Sequence, residues 1–192
     1  MLVLNIGLVV FLGVHSTRIF ADDWRSARIT SLGERRWKLL YTLASAIGLV
    51  LIVWGYGLAR QAPVMLWNPP VWTRHLASLL VLVAFVMFVA AYVPRNHVKA
   101  AFGHPMYAGV KTWAVAHLVA NGMLADLLLF GGFLAWSVLG FRSARRRDRK
   151  QQVTYPAGTP GGTILTLVVG AVAWAVFAFY LHGPLIGVRP LS

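Results

Sequence analysis

Six runs of mostly apolar residues cover most of this chain, and they constrain its fold more than any other feature. They lie at about 1–20, 38–59, 75–94, 106–121, 123–141 and 163–182. A helix needs roughly 20 such residues to cross a bilayer. The fourth run is the weakest, because it carries Lys111, His117 and Asn121. Asn121–Gly122 is a turn signal, so the fourth and fifth runs read as a tight helical hairpin. The expected fold is an all-α polytopic membrane bundle of about six transmembrane helices. The chain reads as one domain over residues 1–192. The Pro/Gly-rich stretch Pro156–Gly162 reads as a flexible connector, so the last helix, 163–182, is expected to pack more loosely. The first run has no basic leader and no small-residue cleavage motif after it, so it reads as a retained helix.

Composition agrees. Charged residues make up 12% and hydrophobic residues 58%, with a mean hydropathy of +0.68. Globular proteins carry roughly 25% charged residues, so this chain has too little polar surface to cover a water-facing globule. It has no cysteine, which excludes disulfides, iron–sulfur clusters and thiolate nucleophiles.

The net charge of +13 would suggest nucleic acid in a soluble protein. Here the charges sit between apolar runs and report topology instead. Fifteen Lys and Arg fall on one side of the six-run layout, and three (Arg60, Arg74 and Arg189) on the other. By the positive-inside rule the first side is cytoplasmic, with both termini outside. The cluster Arg142–Lys150 is read as a topology anchor. Arg25–Arg36 is read as a short surface helix, with Glu34 in an ion-pair cluster.

Ionisable residues within hydrocarbon are costly and mark function. His15 lies five residues from the cytoplasmic end of the first run, and His117 about eleven residues into the fourth. Two imidazoles on different helices suit either a shared ligand or a helix-to-helix hydrogen bond. Imidazole is a common metal ligand. A zinc ion would be short of donors here, whereas haem supplies four of its own and asks the protein for one or two. Trp113 stands one turn before His117 and is placed to pack on the same ligand. His104, in Gly103-His104-Pro105, reads as either a polar helix cap or a cofactor contact. His75 reads as an interfacial or pocket residue. No phosphate-binding loop, paired carboxylates or Ser-His-Asp pattern is present.

Several segments together resemble the NnrU family of bacterial membrane proteins. They are Gly13-Val14-His15-Ser16, Gly33-Glu34-Arg35-Arg36-Trp37-Lys38, Val53-Trp54-Gly55-Tyr56-Gly57, Trp67-Asn68-Pro69-Pro70 with Arg74-His75-Leu76, and Tyr92-Val93-Pro94. The strongest is Gly103-His104-Pro105-Met106-Tyr107-Ala108-Gly109-Val110-Lys111, running on through Trp113 and His117 to Asn121-Gly122. The resemblance covers about residues 5–150. It implies a bacterial inner-membrane protein associated with nitrite and nitric oxide metabolism. The family is similar to plant zeta-carotene isomerase, a membrane enzyme that uses haem b to isomerise a lipophilic polyene. That relative has a His-Pro motif with a second histidine thirteen residues on, a spacing kept here between His104 and His117. The resemblance therefore implies haem b with His15 and His117 as metal ligands and His75, His104 and Trp113 as pocket residues. Ala114 stands where the relative carries a cysteine, so no thiolate ligand is implied. Two other readings are a non-enzymatic scaffold for denitrification enzymes and, by a more distant similarity of the His-Pro motif, a membrane methyltransferase.

Overall fold

The computed structural model describes residues 1–190. Among them the chain is helical, and the one extended contact is an isolated bridge between Met65 and Met123. Helix α1 spans Leu2–Phe20, α2 Asp22–Leu32, α3 Glu34–Gln61 and α4 Trp72–Tyr92. The short α5 is His97–Phe102, followed by α6 Pro105–Ala120 and α7 Leu124–Gln151. The last run begins as α8 Pro160–Val176, passes through a π-helical turn Phe177–Leu181 and ends as α9 His182–Ile186.

Five of these stretches are long and apolar enough to cross a membrane: α1, α3, α4, α7 and Pro160–Ile186. The expected fourth span is the exception. Helix α6 starts at Pro105, where a missing N–H costs nothing, and stops at Asn121–Gly122. Its 16 residues reach about 24 Å at 1.5 Å each, less than the roughly 30 Å hydrocarbon core. The segment 62–71 folds over this recessed end. Leu66 N–H donates to the Gly122 carbonyl at 2.8 Å, and Leu124 N–H to Val64 at 2.9 Å. A side chain at Gly122 would collide with the Trp67 carbonyl, which is why that position is glycine.

The same contacts fix the two ends of the bundle. Segment 62–71 puts the end of α3 beside the α6–α7 turn. Arg60 Nη1 donates to the Ile186 carbonyl at 2.5 Å, adding α9 to that end. At the other end Arg147 donates to the Arg18 carbonyl at 3.3 Å, and Thr159 N–H to that of Arg95 at 2.7 Å. The chain thus alternates between a basic end and a far end as the six-run layout requires, with α6 as a short pass.

Helix α1 lies along α3, α6 lies between α4 and α7, and α8 packs on α4. The α1–α3 approach depends on small residues. A Cβ at Gly48 would lie 2.8 Å from Phe11 backbone nitrogen. The core (Leu4, Leu8, Ile52, Ala114, Leu129 and Phe130) sits where α1, α3, α6 and α7 meet. Outward faces carry large apolar side chains such as Val50, Trp54 and Leu165, as lipid solvation demands.

Helix α7 is longer than the sequence suggests, and the surface helix expected over Arg25–Arg36 is shifted towards the N-terminus, because Gly33 ends it and Glu34–Arg36 open α3. Helix α7 continues through the arginine cluster to Gln151, because Arg and Lys are good helix formers. Helix α2 forms over Asp22–Leu32, with Asp22 and Asp23 in its first turn, where the helix dipole favours them. Glu34 pairs with Lys38 one turn on, at 2.7 Å.

Candidate functional site

His15 sits on the inward face of α1. A carbonyl can only accept, so the 2.7 Å contact from His15 Nδ1 to the Phe11 carbonyl assigns the proton to Nδ1. Nε2 then carries a lone pair. The ring stacks on Phe11 at 4.2 Å and meets the edges of Tyr41 from α3 at 5.2 Å and Trp136 from α7 at 6.1 Å.

His117 repeats this arrangement on α6. Its Nδ1 donates to the Trp113 carbonyl at 2.8 Å, again four residues back, and its Nε2 is left as the lone-pair nitrogen. Phe130 stacks on it at 4.5 Å, and Trp113 lies 5.0 Å away. His117 stands on the last turn of α6, three residues from its end, towards the far end of the bundle.

The two imidazoles do not touch. Phe133 lies 5.7 Å from Phe11 and 5.5 Å from Trp113, so Phe11, Phe133 and Trp113 bridge the gap between them. Trp113 contacts His117, Phe130 and Phe133 and is the hub of this aromatic row.

His104 lies at the basic end, before α6. It makes no helix-cap bond with its side chain. Its Nε2 donates to Asp148 Oδ2 at 2.8 Å. The Tyr155 hydroxyl donates to the same oxygen at 2.8 Å, and its own oxygen lies 3.1 Å from His104 Nε2. Burial, the bond to Asp148 and the negative charge of that carboxylate push the Tyr155 hydroxyl up to about 12. This clasp ties the 152–159 connector to the start of α6.

A family model described as NnrU protein matches residues 3–190. The chain belongs to the NnrU family. The match extends through the last helix, past the segments that carried the resemblance in sequence. No curated protein and no solved structure matches the chain.

Within this NnrU fold, His75 is exposed at the start of α4 and shares no ring contact with the aromatic row. No three or more His, Asp or Glu side chains converge among the described residues, so a bare ion finds no ligand set there. The donor chemistry at His15 and His117 does suit a group that brings most of its own ligands. Metal-bound histidines characteristically donate their other ring N–H to a carbonyl or carboxylate, and both rings already do so. Trp136 Nε1, on the ring beside His15, is buried without a hydrogen-bond partner, leaving a donor for a bound group.

Asp148 and Tyr155 are the polar partners that sequence reasoning missed. A single acidic residue within the arginine cluster is the one signal that could have drawn attention to Asp148.

Proposed function

We propose that this protein binds haem b inside the membrane, with His15 and His117 as the imidazole donors, and serves nitrogen-oxide chemistry or the isomerisation of a lipid-soluble polyene. The observation that carries the reading is the matched pair of anchors. On two different helices, within the bundle, an imidazole is held by its Nδ1 to its own helix and keeps Nε2 as a lone-pair donor. Phe11 and Phe130 fix the two ring planes by stacking. Trp113, Phe133 and Trp136 surround the two imidazoles with aromatic surface. A haem held there supplies iron that can take nitric oxide or polarise a double bond. The basic end faces the cytoplasm and the chain termini the opposite side, by the distribution of Lys and Arg.

Methyl transfer at His104 gains no support. Its Nε2 is engaged by Asp148, and the cavity beside Tyr155 has a volume of about 180 Å³, below the roughly 300–1,000 Å³ of ligand pockets.

Haem stoichiometry in purified variants tests the proposal. His15→Ala and His117→Ala are expected to lose haem or change its spin state, while His97→Ala, exposed at the basic end, keeps it. Equal haem content and identical spectra in all three variants contradict the assignment.

A further inference from the structure

We propose that the groove between α4, α5 and α8 seats one acyl chain of an anionic phospholipid, with the headgroup held by Arg95 and Lys99 at the basic end. This inference stands whether or not haem binds.

The groove has a volume of about 460 Å³ and only apolar lining. Leu82, Val83 and Val86 come from α4, Val98 and Phe102 from α5 and Leu167 from α8. Helices α4 and α8 touch at its floor, where a Cβ on Gly170 would lie 2.8 Å from Val86 Cα. From Leu82 to Tyr92, at the basic end of α4, the rise is about 15 Å at 1.5 Å per residue. That is half of a roughly 30 Å hydrocarbon core. The groove's lining on α4, Leu82 to Met87, therefore lies within the leaflet on the basic side, where an acyl chain runs.

The polar mouth is built rather than incidental. Asn96 is fully buried. Its side chain donates to the Ala90 carbonyl at 3.0 Å and the Val93 carbonyl at 2.6 Å, and accepts from Lys99 N–H at 2.7 Å. His97 Nδ1 lies 2.7 Å from Thr163 Oγ1 and holds α5 against α8. Lys99 Nζ donates to the Ala91 carbonyl at 2.9 Å and has two further protons to offer. Arg95 is exposed and pairs with no carboxylate among the described residues. No acidic residue occurs between Glu34 and Asp126, so nothing on α4 or α5 offsets these cations. The cavity lined by Arg95, Asn96, Lys99 and Tyr155 adjoins α5 on its polar side. Lys99 follows Val98 of the groove lining directly in α5, and Arg95 lies three residues before Val98, so the cations adjoin the helix that lines the groove, which matches a lipid with a charged head. A neutral polyene has no use for the cations.

The test is native mass spectrometry and thermal melting of the full chain in mild detergent, titrated with phosphatidylglycerol or phosphatidylcholine of identical acyl chains. Phosphatidylglycerol is expected to be retained preferentially and to raise the melting temperature. Arg95→Gln and Lys99→Gln should each reduce that preference about fivefold, the scale of one basic residue near an anionic surface. Val83→Trp, on a lipid-exposed side chain, should weaken both lipids by filling the groove. Equal retention of the two lipids by the unaltered chain overturns the proposal. So does unchanged lipid binding in a Val83→Trp protein that still melts cooperatively, or equal competition by glycerol phosphate alone. Should Val83→Trp not fold, the exposed Arg95→Gln variant decides by itself, and an unchanged preference there overturns the headgroup assignment.

Discussion

His15 and His117 face one aromatic row from opposite ends, with Phe133 between them: its ring lies 5.7 Å from Phe11, which stacks on His15, and 5.5 Å from Trp113, which touches His117. The row spans α1, α6 and α7, so it ties the candidate ligands to the packing of the core. Perturbing a ring should therefore affect stability and ligand binding together.

Phe130 is 5% exposed and stacks directly on His117. Phe130→Ala leaves a cavity there. In water-soluble cores this costs about 3–5 kcal/mol. The cost here should fall below that range, because apolar side chains of separated helices meet lipid rather than water. Thermal melting in detergent should show a clear decrease, with a parallel decrease in haem retention.

Gly103 has φ +69, and a Cβ there would lie 2.8 Å from the Tyr155 ring. Gly103→Ala should cost on the order of 1 kcal/mol from the backbone alone and should also push Tyr155 off Asp148. Limited proteolysis should find the 152–159 connector cut faster than in the unaltered chain.

The Tyr155 hydroxyl is pushed up to about 12 by burial and by Asp148. A free tyrosine ionises near 10. The folded state thus binds this proton more tightly than the unfolded state. Its contribution to stability is complete below about pH 10 and is lost as pH rises towards 12. The difference in ultraviolet absorbance between the unaltered chain and Tyr155→Phe should show one tyrosine titrating near the upper value. A normal titration there contradicts the clasp.

The chain has no cysteine, so single introduced cysteines report topology without background. Gln61→Cys, at the far end, should react with an impermeant maleimide in intact cells. Lys150→Cys, at the basic end, should react only after the membrane is opened. The reverse pattern inverts the orientation.

Helix α6 was legible in the sequence, because Pro105 and Asn121–Gly122 punctuate it, although Lys111 and His117 interrupt the apolar run between them. The contact of Trp113 with His117 was legible too, since residues four apart share a helix face. The extension of α7 to Gln151 was not, because a basic cluster reads equally as loop or helix and the stop depends on Gln152 adopting φ 50. The clasp was hidden by distance along the chain: His104 and Asp148 are 44 residues apart, and Asp148 looked like one charge in a solvated run. The interposition of Phe11 and Phe133 depends on side-chain directions across helices, which spacing along one helix does not encode.

The central claim is that His15 and His117 hold haem b, and an absorption spectrum tests it most directly. The protein is purified in mild detergent after expression with added haem, then measured oxidised and dithionite-reduced. The account predicts a Soret band with sharp α and β bands on reduction, the signature of an iron held by two imidazoles. A featureless spectrum in both states contradicts it and leaves His15 and His117 as packing residues of the aromatic row.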